Sequence, residues 1–215
     1  MQINYLGRSC FKIKTQNTIL VTDPFNKYIG FSMPLTKADI VTISHEHKDN
    51  NCLKKIEGDP FIINAPGEYE IADVSIFGFK TFHDKTKGEK QGKNTIYTIR
   101  TEEISLCHLG DLSHKLSDNQ LEEVNGTDIL FIPVGGISTI GPKEAVEVVN
   151  QVEPKIIIPM HYCTPDHDKI KFKEMAVLND FLEEIGALQA KKENKLLISK
   201  LSLPQETEVI CLMKK

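Results

Sequence analysis

The sequence predicts a mixed α/β protein with two sheets in contact and helices outside, and three observations carry that prediction. The first half is mostly short apolar or alternating runs, the pattern of strands. The second half alternates such runs with stretches at helical spacing. No repeat and no linker rich in Pro, Gly or Ser interrupts the 215 residues, a length that suits one domain, 1–215, with ample core.

The elements follow in order. Ile3 to Leu6, Cys10 to Lys14 and Thr18 to Thr22 alternate or run apolar, with Gly7 and Gln16-Asn17 at the turns, and read as a meander ended by Asp23-Pro24. Residues 25–38 read as loop. Ile40 to Ile43, Phe61 to Asn64, Glu68 to Ile71 and Val74 to Phe82 read as strands. Thr95 to Arg100 and Ile104 to Leu109 form a hairpin pattern, and the lysine- and glycine-rich stretch before it, Lys85 to Lys93, reads as a loop near a site. Ser117 with Gln120 marks the start of a short helix through Glu123. Asp128 to Val134 is a buried strand ended by Gly135-Gly136. Pro142 sits at a first helical position, and Ala145, Val148, Val149 and Val152 follow at helical spacing until Pro154. Lys155 to Pro159 is a further strand. Phe172 to Ile185 predicts an amphipathic helix capped by Gly186. Lys195 to Ser199 and Glu208 to Met213 close the chain as strands.

Composition limits the class. The chain is 40% hydrophobic with a net charge of −4 spread evenly, as in a soluble globular protein. It lacks the basic balance of a dedicated nucleic-acid binder. No amino-terminal signal pattern or membrane-length apolar run is present, so no membrane role is expected. Cys10, Cys52, Cys107, Cys163 and Cys211 are scattered and never form CxxC, which suits reduced thiols and a cytoplasmic setting.

The chemistry concentrates at Ile40 to Asn51. A β-branched run leads into Ser44, His45, Glu46, His47, Lys48, Asp49 and Asn50. His45, His47 and Asp49 lie two apart, so a strand end or tight loop aims them the same way. Imidazole with carboxylate suits zinc, or a harder ion such as manganese. The same register recurs. His83, Asp111 and His161 each follow the end of an apolar strand, and strand ends on one edge of a sheet cluster in space.

With these residues in view, the chain resembles the metallo-β-lactamase-fold superfamily, and within it the small single-domain branch of ascorbate-6-phosphate lactonase-like proteins. The matching pieces are TDP at 22–24, SHEHKDN at 44–50, His83, HLGD at 108–111 and PMHY at 159–162, with PGEYEI at 66–71 and PVGG at 133–136. The resemblance implies a four-layer αβ/βα sandwich of two mixed β-sheets with helices on the outer faces. It implies a metal-dependent hydrolase with one or two divalent ions, Zn2+ or Mn2+. His45, His47 and His83 would hold the first ion, Asp111 would bridge, Asp49 and His161 would hold the second, and Asp23 would orient the loop. Two positions depart from the family pattern. Asn50 stands where a histidine is usual, which weakens a second site. Arg8 stands where a histidine often follows Leu-Gly, and it reads as a solvated surface arginine unless it faces the cleft, where it would bind an anionic substrate.

Of the other histidines, His108 reads as a satisfied core group, His114 as a loop residue with some scope for proton transfer, and His167 as loop. Cys163 reads as a bystander thiol. The expected reaction is attack by metal-activated hydroxide, oriented by Asp49 or Asp111, on an ester, lactone or phosphodiester-type bond of a small molecule. An iron-dependent persulfide oxygenase and a catalytically silent metal-binding or sensing protein are the alternatives. Nucleic acid is not an expected partner, and the sequence leaves homo-oligomer formation open.

Overall fold

The computed structural model describes residues 1–47, 51–83, 89, 91–168 and 170–214. Its first strands are β1 (Gln2–Gly7), β2 (Cys10–Lys14) and β3 (Ile19–Thr22), followed by β4 (Thr36–Lys37), β5 (Ile40–Thr42), β6 (Ile56–Glu57) and β7 (Phe61–Ile63). A long meander comes next, of β8 (Gly67–Ile71), β9 (Val74–Phe82), β10 (Lys93–Thr101) and β11 (Ile104–His108). Strand and helix then alternate through α1 (Asp118–Val124), β12 (Ile129–Pro133), α2 (Pro142–Val152), β13 (Ile156–Met160) and α3 (Leu178–Glu184). The chain closes on β14 (Lys191–Glu193), β15 (Leu196–Leu197) and β16 (Glu208–Leu212).

The expected class holds. A six-stranded sheet, ordered β15-β1-β2-β3-β5-β7, faces an eight-stranded sheet ordered β14-β16-β13-β12-β11-β10-β9-β8. Both are mixed. β3, β5 and β7 run parallel, as do β11, β12, β13 and β16. Side-chain alternation decides what each face meets. Leu20 and Ile40 join the main core, while their neighbours Val21 and Val41 join a second cluster with Phe25, Ile29 and Met33. The segment after β3 is thereby laid over the outer face of the six-stranded sheet. β12 and β13 are buried along their whole length, as parallel strands covered on both faces are. The helices bury Val124, then Ala145, Val148 and Val149, then Phe181 and Leu182 in the main core. Fully burying one such side chain contributes about 1.5–3 kcal/mol. Between the sheets Phe11 meets Phe131 at a ring-centroid distance of 4.4 Å. Tyr97 reaches from β10 to donate to the carbonyls of Ile43 (2.9 Å) and Ile63 (3.3 Å).

One helix is shorter than predicted. The 172–185 pattern forms α3 only from Leu178. Ala176 N–H donates to the Gly135 carbonyl, and the Ala176 carbonyl accepts from Cys163 N–H, so the backbone there is engaged sideways. The Asp180 carboxylate then accepts from Val177 N–H at 2.9 Å and starts the helix. β14 was not readable as a strand. Its Lys191, Lys192 and Glu193 are all exposed on a sheet edge, and no apolar alternation marks them.

Candidate metal centre

Strand ends assemble the centre. Asp23 follows β3 with a left-handed backbone, φ 39°, and its N–H donates to Thr42 at the end of the parallel neighbour β5. Its carboxylate accepts from Ser44 N–H and from Ser44 Oγ, both at 2.7 Å. Ser44 Oγ also lies 2.9 Å from His45 Nδ1. The hydroxyl proton goes to the carboxylate, so His45 Nδ1 must donate to Oγ, and the Nε2 lone pair is turned inward. That Nε2 is 3.5 Å from Asp111 Oδ2.

His83, directly after β9, is fixed in the same sense. Its Nδ1 donates to the Ser138 carbonyl at 3.1 Å. Its Nε2 is buried without a hydrogen bond among the described residues, 3.4 Å from the same Asp111 oxygen. His161, after β13, brings Nε2 to 3.1 Å from that oxygen. The half-buried His47 completes a trio whose ligand atoms, with those of His45 and His83, lie within 4.8 Å of one another.

Asp111 is held where they meet. Its N–H donates to Asn94 Oδ1 at 3.0 Å, and Oδ1 accepts from Ser9 Oγ at 3.2 Å. Gly110 before it takes φ 58°, and an added Cβ would come within 2.3 Å of Asn94 Oδ1 and 2.6 Å of Ser44 Cβ. Only glycine passes there without displacing both supports.

The electrostatics agree. Burial alone would raise the Asp111 carboxyl, but the imidazoles of His161, His45 and His83 crowded around it hold it well below the usual carboxylate range. Burial pushes His45 down to about 3, against the pull of Asp111. Burial also lowers His83, but the Asp111 carboxylate beside it prevails and its net shift is upward. Two imidazole lone pairs facing one carboxylate oxygen at 3.4–3.5 Å repel unless positive charge lies among them. A divalent ion supplies that charge, and the neutral-imidazole and carboxylate donor set fits zinc or manganese.

The structure thus brings His45, His47, His83, Asp111 and His161 together, with Asp23 behind His45. Asp49 and Asn50, and most of the stretch 85–93, lie outside the described residues. His108 is a satisfied core group. Its Nε2 donates to the Ser9 carbonyl at 2.8 Å, its Nδ1 accepts from Gly110 N–H, and burial lowers its pKa to about 4. His114 bonds through both ring nitrogens, to Thr81 Oγ1 and to the Lys115 carbonyl. Cys163 is half-buried and donates at 3.9 Å to the Thr164 carbonyl.

Two sequence readings need correction. Arg8 is not a solvated surface residue but buried beside Asp111, and His167 is not plain loop but packed between Phe31 and Phe172. Sequence reasoning also missed Ser9, Asn94 and the Ser138 carbonyl as supports. Ser44 alone had a signal, as the residue leading into the histidines. A cavity of about 600 Å³ opens beside the centre, lined by Ser44, His45, His47, Asn64, Lys80 and Lys93 among others.

Known proteins share this architecture. Residues 2–161 match the family model of the beta-lactamase superfamily domain. A metal-dependent hydrolase of Bacillus thuringiensis subsp. konkukian is 26% identical over 198 residues, covering 76% of this chain and 86% of the relative. A crystal structure from Thermotoga maritima, of a protein assigned as a Zn-dependent hydrolase of the metallo-beta-lactamase superfamily, superposes with a TM-score of 0.81 at 36% identity, over 98% of this chain and 97% of that one. The metallo hydrolase Igni18 of Ignicoccus hospitalis KIN4/I shares the fold, with a TM-score of 0.68 at 16% identity, over 99% and 94% of the two chains.

Proposed function

This chain belongs to the metallo-β-lactamase superfamily, and from that premise we propose that it hydrolyses an ester, lactone or phosphodiester-type bond in a small molecule. It is a metal-dependent hydrolase. The observation that carries the reading is the convergence of the His45 and His83 Nε2 lone pairs on Asp111 Oδ2, with both Nδ1 protons committed elsewhere. His45, His47, His83, Asp111 and His161 are the residues that would hold the ion, zinc or manganese, with Asp49 added from the sequence. When bound, such an ion lowers the pKa of water toward about 7 and polarises the attacked oxygen.

The chain's own groups do the rest. Asp111, kept ionised, and Asp49 are the carboxylates we assign to orienting the attacking water. Asp23 and Ser44 fix the His45 tautomer, and Ser138 fixes that of His83. The cavity beside His45 and His47 is large enough for a small-molecule substrate. Among the described residues no helix is long and apolar enough to cross a membrane, and all five cysteines are free. The free thiols support a cytoplasmic setting.

Elemental analysis of protein purified without added metal, followed by an ester, lactone and phosphodiester panel, tests the proposal. We expect zinc or manganese, and activity lost to a chelator and restored by that ion. Replacing His45 or His161 with Ala should lower metal content and melting temperature together. Full metal loading with flat activity across the panel would leave a metal-binding protein without catalysis. Iron with turnover of glutathione persulfide would make it an oxygenase.

A further inference from the structure

We propose that Ile137 is a specificity-determining residue, whose side chain beside the metal centre contacts an apolar, non-reacting part of the substrate. The inference rests on the metal-hydrolase reading. It adds to that reading a substrate class, molecules with an alkyl or aryl group next to the bond that is cut.

Ile137 belongs to the loop 135–140, which touches three of the segments that carry the centre. At Gly135 an added Cβ would come within 2.1 Å of the His161 carbonyl oxygen. The Ser138 carbonyl accepts from His83 Nδ1 at 3.1 Å. Ile140 N–H donates at 2.8 Å to the carbonyl of Leu112, the residue after Asp111. Ile137 thus stands on a loop seated against His161, His83 and Leu112.

Its backbone is costly. Ile137 takes φ 63°, a left-handed conformation that a β-branched side chain avoids. It is the second residue of a turn closed by Thr139 N–H on the Gly136 carbonyl at 3.3 Å. With positive φ, that position is normally filled by Gly, Asn or Asp. Thr139 Oγ1 donates to the same carbonyl at 3.3 Å, and Gly136 N–H donates to the Ile140 carbonyl at 3.1 Å. These bonds hold the turn against the preference of its residue.

The fold gains little from this side chain in return. It is 62% exposed, whereas Val134 and Ile140 on either side are fully buried. A lone exposed apolar residue is ordinary, but an exposed one kept in a strained backbone points to use. The side chain carries no polar atom, so what it recognises is apolar surface. The loop's contacts with His161 and His83 place that recognition beside the ion.

The test uses zinc-loaded protein and two hydroxamates, acetohydroxamate and octanohydroxamate, which share one zinc-chelating head group. Calorimetry gives both affinities, and thermal unfolding of the same proteins reports the strain. Wild type should bind octanohydroxamate about ten-fold more tightly or better, the effect of burying about two methylenes. Ile137→Gly and Ile137→Asn should cut that ratio to about three-fold or less. Both should also raise the melting temperature, by about 2–4 °C, because both residues suit the left-handed backbone. Ile137→Met, apolar but unbranched at Cβ, should keep the ratio. An equal affinity of wild type for both probes, a ratio kept in both the Gly and Asn variants, or melting temperatures in both at or below wild type would overturn the Ile137 assignment and leave the hydrolase reading intact. Failure of wild type to retain zinc, or of zinc-loaded wild type to bind acetohydroxamate, would overturn both.

Discussion

Ser44 contributes one hydroxyl, and that hydroxyl sets which nitrogen of His45 carries the proton. The chain from His45 Nδ1 to Ser44 Oγ to Asp23 Oδ2 runs through contacts of 2.9 and 2.7 Å. Ser44→Ala should therefore weaken metal binding about 10–100-fold, the usual cost of losing a partner behind a ligand. Competition against a chelator of known affinity measures this, and an unchanged affinity would mean that the His45 tautomer is set by something else. The ligand-type residues themselves were readable, because each follows the end of an apolar strand, and strand ends share an edge. Arg8 was not. Its burial comes from Phe172 and from a carbonyl bond to His161, both far along the chain, and nothing in the Leu-Gly-Arg context announces them. Asn94 and Ser9 are equally silent, since a small polar residue in a strand or turn has no spacing to betray its partner.

At the scale of elements, Asp128 fastens the parallel strands at their start. Its carboxylate accepts from Ser105 N–H at 3.0 Å and pairs with Lys200 at 3.1 Å and Lys155 at 3.4 Å. Burial alone would raise its pKa, but these donors hold it below the ordinary carboxylate value. The folded value is depressed, so the stabilisation is present above the unfolded pKa of about 4 and fades as pH falls through the folded one. Asp128→Asn should lower the melting temperature at pH 7, and the gap to wild type should close below about pH 4. A gap of constant size from pH 7 to pH 3 would refute this. Apart from β4, β6 and β14, the strands were legible, as was α2, because apolar periodicity and Pro142 act locally. The true start of α3 was not, because the hydrogen bonds of Ala176 to the Gly135 carbonyl and from Cys163 N–H override the helical pattern of 172–177.

For the molecule as a whole, the ion and the fold are one equilibrium. The centre draws on β5, β9, β11 and β13 from both sheets, so a ligand that binds only this arrangement stabilises all of it. At a free ion concentration 1,000 times the dissociation constant the gain is about 4 kcal/mol. Stripping the metal should lower the melting temperature by several degrees in calorimetry, with recovery on adding the ion back, and no shift would mean that the ion does not bind the folded centre. The sheet-on-sheet plan was legible because half the chain alternates and the rest interleaves helices. The covering of the outer face by the segment after β3 was not, since Phe25, Ile29 and Met33 follow no regular period. Tyr97 holds a consequence of its own. Its phenol is a spacer bolt between Ile43, two residues before His45, and Ile63, next to Asn64 on the cavity wall. The width of the cavity beside His45 is thus tied to the opposite sheet, and Tyr97→Phe, which removes only the hydroxyl, should shift KM across a substrate panel while metal content measured by elemental analysis stays at the wild-type value.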